Sequence, residues 1–159
     1  MKQDIKRTLN KQNMQNFART LCETRNGVER YKPLCDGYLT QVCDDNTVQH
    51  CVIGEMYLYF TGSEPMLSAA TCIKTLVKHA RLNRKVNVDT ALTDIINYNN
   101  ASRESHEHLF EESLHVLVDI NDNISLNPRK IKGLSEEEQG YERTKDVQRF
   151  IKKIAILLK

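Results

Sequence analysis

A cysteine at the start of an apolar run is the side chain in this sequence best placed for catalysis. Cys51 opens the segment Cys51–Thr61, and a thiol at a helix N-terminus would have its thiolate form favoured by the helix dipole. His108 would then act as the base and Asp122 would orient it, which together would make a nucleophilic site. Other candidates for these two roles are His50, His106, His115 and Asn121.

The competing interpretation of Cys51 is structural. Free cysteine is among the most buried residue types, so a small thiol that fills the junction between a hairpin and a helix explains the same position. We favour this interpretation and keep a small cysteine-dependent hydrolase as the alternative function. For Asp122 we expect a structural role, in which its carboxylate accepts hydrogen bonds from backbone amides beside the helix that Cys51 begins.

The possible metal ligands do not have the spacing of a common metal site. Cys35, Cys43 and Cys51 are eight residues apart each time, whereas zinc ligands come as close pairs. A predicted helix carries further potential ligands on one face, but it lacks the HExxH motif. Those residues are His108, Glu111, Glu112 and His115. We predict no metal and no other cofactor, and we expect all five cysteines to be free thiols.

A cluster of basic side chains lies along one flank of a predicted helix and reappears in a later segment. No aromatic residues interleave with it for base stacking, so a solvated face is favoured, with nucleic-acid binding as the alternative. The net charge of +2 is too small to indicate nucleic acid or an anionic membrane by itself. This basic surface consists of Lys74, Lys78, Arg81, Arg84, Lys85, Arg129, Lys130 and Lys132.

Length and composition indicate an ordinary globular protein. A chain of 159 residues with 40% hydrophobic and 28% charged residues is long enough for one domain with a sizeable core. The polar N-terminus leads into no apolar signal region, and the longest apolar run is interrupted by Glu55. We therefore expect a single cytoplasmic domain that does not associate with a membrane.

The elements that must position Cys51 are a hairpin before it and a helix after it. An apolar stripe from Met14 to Cys22 predicts a first helix that ends near Arg25, because Asn26-Gly27 is a good helix stop. The segment 37–50 predicts one small β-hairpin around the turn residues 44–46. Cys51–Thr61 then predicts a helix with Gly62 at its C-terminal end.

Four more helices are predicted after the Cys51 helix. Ser63-Glu64-Pro65 has the chemistry of a helix start, and Asp89 is a fair N-cap for the next helix. A longer helix should run from Ser102 or Ser105 to Ile120, and a terminal helix should follow Thr144. The segment at about 123–143 is predicted to be a long exposed loop with one short helical turn at the capping-box pattern 135–138. The fold class is therefore mainly α, with α+β character: five to six helices around a central helix, and one small hairpin.

The order of these motifs resembles a group of small phage and prophage proteins that have no established activity. In that group a Tyr and Leu stretch leads to a Cys-x-x-Gly helix, and an Asn-Asp turn precedes the last helix. This sequence departs from the pattern through the segment inserted after Asn123, which separates the turn from the terminal helix. The resemblance covers most of the chain and implies a mobile-element setting. The matching positions are Tyr38, Leu39, Cys51, Ile53, Gly54, Asn121, Asp122, Val147, Ile151 and Ile154.

We predict from these features a non-enzymatic accessory protein of a phage or mobile element. It would bind a host protein, with nucleic acid as another possible partner, and could inhibit a host defence or regulatory system. Such a role needs a stable scaffold and a variable surface, and the inserted segment Ser125–Arg143 is a candidate contact element.

Overall fold

The computed structural model describes residues 5–35, 40–65, 68–96, 105–122 and 132–159. Within these residues, six helices and two antiparallel two-stranded sheets form a mainly α fold, which confirms the predicted fold class. The elements are α1 (Lys11–Thr20), β1 (Cys22–Arg25), β2 (Val28–Tyr31), β3 (Thr40–Val42), β4 (Val48–His50), α2 (Val52–Thr61), α3 (Ala69–His79), α4 (Val88–Ile96), α5 (His106–Asp122) and α6 (Glu136–Ile154), and a 3-10 turn at Ala155–Leu157 follows α6.

Helix α2 lies at the centre of the core. Ile53, Met56 and Phe60 are fully buried, and α2 packs against both α3 and α5. Helix α6 closes the other side of the core by packing on α1 and α5. Gly62 ends α2 with φ 72°, a left-handed conformation that glycine adopts without steric cost. The predicted helix and its glycine stop are therefore confirmed.

The first helix is shorter than predicted because Asn26-Gly27 turns a second hairpin instead of ending a helix. Helix α1 ends at Thr20, and β1 and β2 pair in antiparallel register on either side of the turn. Asn26 has φ 52° and Gly27 has φ 77°, so both central residues are left-handed, as a type I′ hairpin turn requires. A helix C-terminus needs only one such residue. The prediction of a single hairpin was thus wrong.

The predicted hairpin before Cys51 is present as β3 and β4, with Val42 paired to Val48. Asp45 stabilises its turn, because its carboxylate accepts hydrogen bonds from the Thr47 amide at 3.1 Å and the Thr47 hydroxyl at 2.5 Å. The first part of the predicted range, with Tyr38 and Leu39, lies outside the described residues.

Two of the predicted helix starts were displaced by a few residues. Helix α3 is capped by Ser68, whose hydroxyl accepts from the Thr71 amide at 3.2 Å, and not by Ser63. Helix α4 begins at Val88, and the Asn87 side chain, rather than that of Asp89, accepts from the Thr90 amide at 2.9 Å. In each case a neighbouring polar residue of equal capping ability is used.

The segment predicted as a loop at 123–143 is helical in its second half. Residues 123–131 lie outside the described part of the chain, and α6 runs without interruption from Glu136. The predicted capping box is confirmed, since Ser135 and Glu138 bond each other's backbone amides. Thr144 is not an N-cap; it is buried inside α6, and its hydroxyl donates to the Lys32 carbonyl at 2.9 Å. Gly140 lies in the segment predicted as a loop, and it is tolerated within the packed helix.

Three distant segments meet beside α1 through backbone hydrogen bonds. The Arg81 amide donates to the Leu9 carbonyl at 2.9 Å, and the Lys159 amide donates to the Arg81 carbonyl at 2.8 Å. This junction joins the start of α1, the residues after α3 and the end of the chain. None of the helices in the described residues is long and apolar enough to cross a membrane.

Candidate functional site

Cys51 immediately precedes α2 and is buried. Only 5% of the residue is exposed. Burial raises the pKa of the Cys51 thiol; the amides of Gly54 and Ile53 oppose this shift, and the charge of Asp122 adds to it. A nucleophilic cysteine needs the opposite shift, toward the thiolate. The position therefore stabilises the neutral thiol, as expected for a packing residue.

Asn121 makes a structural contact at the start of α2 of the kind that we predicted for Asp122. Its side-chain oxygen accepts from the Val52 amide at 3.1 Å, and its side-chain nitrogen donates to the Cys35 carbonyl at 2.8 Å. Val52 is the first residue of α2, so its amide has no partner within the helix. Asp122 is exposed at the end of α5, and its carboxylate accepts from the Asn121 side chain at 3.3 Å.

Three of the four histidines proposed as bases have other partners in the structure, and the fourth, His115, is exposed on α5. The ring nitrogens of His50 lie 3.1 Å from Glu55 and 2.9 Å from Glu64, although His50 is adjacent to Cys51 in sequence. His106 contacts the Val86 carbonyl at 2.9 Å. His108 lies on a half-exposed face of α5, and its Nε2 is 3.8 Å from the Glu112 carboxylate. None of these contacts orients a base toward the Cys51 sulfur.

The groups considered as metal ligands do not converge in the described part of the chain. No set of three or more His, Cys, Asp or Glu residues there could hold an ion. All five cysteines are free thiols, as predicted. The Cys35 thiol donates to the Gln49 carbonyl at 3.6 Å, while Cys43 is half-buried at the turn of the second hairpin.

The basic surface is only partly available for binding. Lys74, Lys78, Arg81, Lys85 and Lys132 are exposed, whereas Arg84 pairs with Glu107 at the start of α5. Arg129 and Lys130 lie outside the described residues. The junction described above also brings the backbone of two exposed lysines, Lys11 and Lys159, close to that of Arg81. Sequence spacing gives no sign of this proximity, because the contacts are long-range.

An open cleft of about 850 Å³ lies between two walls. One wall is β2 with its extension, residues 32–34, and the other is the first half of α6. Neither wall was predicted as a site, although residues 136–143 belong to the segment we expected to contact a partner. The Arg143 guanidinium donates to the Leu34 carbonyl at 3.4 Å and so connects the two walls. Charged and tyrosine side chains dominate the lining: Glu23, Arg30, Tyr31, Lys32, Glu136, Glu137, Tyr141 and Arg143.

The two tyrosines of the cleft are held by neighbouring carboxylates. Burial and a hydrogen bond to Glu29 raise the pKa of Tyr31 to about 12. The Tyr141 hydroxyl donates to Glu137, and this bond raises the pKa of Tyr141. The Lys145 ammonium also lies 5.4 Å from the centre of the Tyr31 ring. Both phenols therefore stay protonated at neutral pH and present fixed aromatic surfaces.

The fold and the cleft define this chain as a mainly α protein with an aromatic, mixed-charge cleft and a buried cysteine. Comparison with protein-family models, with curated proteins and with solved structures finds no match.

Proposed function

We propose that this protein is a non-enzymatic binding protein whose partner is another protein, held in the cleft between β2 and α6. The observation that carries the proposal is the composition of that cleft. Tyrosine and arginine are enriched at the centres of protein interfaces, and Tyr31, Tyr141, Arg30 and Arg143 line this cleft together. Small-molecule pockets, by contrast, are lined mostly by apolar side chains.

The charges of the cleft favour a protein partner over nucleic acid. Phosphate backbones select surfaces that are uniformly positive, whereas the lining of this cleft combines three acidic side chains with three basic ones: Glu23, Glu136, Glu137, Arg30, Lys32 and Arg143. A protein surface with charges of both signs can complement such a lining. The exposed lysines of α3 would be the nucleic-acid surface if that partner were correct.

The alternative of a hydrolase is weakened by the state of Cys51. A buried neutral thiol without a histidine directed at it lacks the activation that nucleophilic catalysis requires. A phage or mobile-element origin, with a host protein as the partner in the host cytoplasm, belongs to the same proposal and is supported by the sequence resemblance described above.

Affinity capture with matched variants tests this proposal. The wild-type protein, immobilised and exposed to bacterial lysate, should retain a protein that Tyr141→Ala combined with Arg30→Gln no longer retains. Two controls remove charges elsewhere: Lys74→Gln combined with Lys78→Gln on α3, and Arg149→Gln on the outer face of α6. Both controls should retain the partner, and nuclease treatment should not change the result. Thermal unfolding verifies that every variant is folded.

Three outcomes contradict the proposal. One is retention that survives the cleft variant, because the partner then binds elsewhere. The second is retention that is lost with the α3 variant or after nuclease treatment, which would make nucleic acid the partner. The third is an activity toward ester or amide substrates that disappears in Cys51→Ala while the protein stays folded.

A further inference from the structure

Four ionisable side chains form a continuous chain of contacts at the start of α2. The Lys32 ammonium lies 2.9 Å from Glu55 Oε2, and Glu55 Oε1 lies 3.1 Å from His50 Nδ1. His50 Nε2 in turn lies 2.9 Å from Glu64 Oε2. The four residues come from the extension of β2, the end of β4, the first turn of α2 and the connection after α2. Their contacts therefore connect four segments of the fold.

The two contacts of His50 require a proton on each ring nitrogen. A neutral imidazole has one N–H, so it can donate to one carboxylate only, while its other nitrogen is an acceptor. A carboxylate oxygen is also an acceptor, and two acceptors at 2.9 Å repel each other. Both contacts of His50 are hydrogen bonds at the same time only when the ring is an imidazolium.

The charge balance of the cluster leads to the same protonation state. With His50 charged, Lys32 and His50 supply two positive charges and Glu55 and Glu64 supply two negative charges. The His50 side chain is 7% exposed and that of Glu55 is 11% exposed, so charges at these positions need partners. Cys51, the next titratable group along the chain, is a neutral thiol because burial raises its pKa. The Cys35 backbone amide donates to the His50 carbonyl at 3.1 Å.

The two carboxylates differ in how firmly they are held. Glu55 is nearly buried and keeps Lys32 as a partner when His50 loses its charge. The Glu64 side chain is 63% exposed, so it can exchange the histidine for water at little cost. The remaining N–H of a neutral His50 would stay on Glu55, and Glu64 would face an acceptor nitrogen. The contact to Glu64 is therefore the one that deprotonation breaks.

We propose that His50 and Glu64 form a pH-sensitive latch, in which the protonated ring holds the connection 62–65 against the start of α2 and deprotonation releases it. The released contact lies between α2 and α3, so the latch controls how firmly the connection leading to α3 is attached. This inference does not depend on the cleft being the binding site. Failure of the capture experiment would leave it standing, because that experiment changes Tyr141 and Arg30, and neither belongs to the latch; Lys32 is shared by the cleft lining and the cluster.

The stability that the latch contributes has a defined pH dependence. The bond to Glu64 needs the second ring proton, so its contribution is present on the acidic side and is lost as pH rises and the ring gives up that proton. Histidine side chains change charge at about pH 5–8. The unfolding equilibrium constant should increase as this bond is lost, with a slope no steeper than about tenfold per pH unit, the limit for one linked proton.

Glu64→Gln tests the latch because a glutamine side chain can serve both ring states. Its oxygen accepts from a protonated Nε2 and its amide group donates to a deprotonated one. The variant should be less stable than wild type at about pH 5 and should lose little or no stability as pH rises to about 8. Glu112→Gln is the matched control, since it removes the carboxylate beside His108 on the exposed face of α5. That control should keep the wild-type pH profile.

Nuclear magnetic resonance of the wild-type protein provides a readout that needs no variant. At about pH 5 both ring nitrogens of His50 should carry hydrogens, and the amide signals of residues 62–65 should move as one of these hydrogens is lost. The proposal is overturned if the ring titrates while those signals stay in place. It is equally overturned if Glu64→Gln and wild type show the same dependence of unfolding on pH.

Discussion

The N-termini of α2 and α6 are both stabilised by side chains, but the stabilising residue has a different origin in each. At α6, Ser135 accepts from the Glu138 amide at 3.2 Å and the Glu138 carboxylate accepts from the Ser135 amide at 3.4 Å. Those two residues are exposed and three positions apart. At α2 the Val52 amide donates to Asn121, which lies 69 positions later and is buried.

The difference shows that one cap determines where a helix begins and the other helps to determine how elements are arranged. Both hydrogen bonds of the Ser135 cap lie within the first turn of α6, so this cap determines where α6 begins. The Asn121 cap joins α2 to the end of α5 and, through the Cys35 carbonyl, to the segment after β2. It therefore helps to determine which elements are neighbours. A lost exposed cap is replaced by water, whereas the loss of a buried one leaves polar groups without partners.

Removal of the buried cap should have the largest effect. Asn121→Ala would leave the Val52 amide and the Cys35 carbonyl without their partners in the core. The expected loss in unfolding free energy is about 2–6 kcal/mol, because two buried groups lose their partners and each costs about 1–3 kcal/mol. Chemical denaturation measures this loss. Asp122→Asn is the control, since it keeps an oxygen beside Asn121, and it should change stability by less than about 0.5 kcal/mol. A larger loss in the control would return the capping role to Asp122, as predicted from the sequence.

Thiol labelling compares the two cap positions directly. In the variant Ser135→Cys both helices have a cysteine at the N-cap, one buried and one exposed. Cys51 should react with an alkylating reagent roughly 100-fold more slowly than the introduced thiol, because a buried sulfur reacts only when the structure opens. Burial also keeps the pKa of Cys51 raised, so less thiolate is present. Peptide mass spectrometry separates the two sites. Equal rates would restore the case for Cys51 as a nucleophile.

Removal of the exposed cap should have a smaller effect. Ser135→Ala deletes the hydroxyl that accepts from Glu138 and should cost about 1 kcal/mol of unfolding free energy, a typical value for an N-cap. Ser63→Ala is the matched control, because Ser63 was a predicted helix start that caps no helix in the structure. Thermal and chemical denaturation should give almost no change for the control. A cost of Ser135→Ala equal to that of Asn121→Ala would remove the distinction between the two caps.

Local signals account for what the sequence predicted correctly. The capping box at Ser135 and the left-handed stop at Gly62 each act within a few residues, so one window of sequence contains all of the interaction. The Asn26-Gly27 pair is also a local signal, but it is compatible with both a helix C-terminus and a hairpin turn. Only the pairing of β1 with β2 selects the hairpin. The partnership of Asn121 with Val52 depends on how α5 packs against α2. The hydrogen bond of Thr144 to Lys32 and that of Arg143 to Leu34 in the cleft are similar cases, since each joins residues more than a hundred positions apart.

An ion pair at the start of α5 distinguishes the effect of distance along the chain from the effect of burial. Glu107 lies in the first turn of α5 and pairs with Arg84, 23 residues earlier, so this contact is long-range yet exposed. The hydrogen bond from Arg84 lowers the pKa of Glu107 to about 2, from an ordinary value of 4.5. A depressed carboxyl pKa gives stability above the unfolded value, and that stability is lost as pH falls from about 4.5 to about 2.

Arg84→Ala should therefore have the smallest effect of the series if burial, and not distance along the chain, sets the cost of losing a contact. We expect the unfolding temperature at neutral pH to fall by at most about 3 °C, because exposed ion pairs contribute little and water screens them. The difference from wild type should shrink as acidification protonates Glu107, and added salt should reduce it further. Calorimetry at several pH values measures both trends. A loss as large as that of Asn121→Ala would mean that long-range contacts stabilise this fold whether or not they are buried.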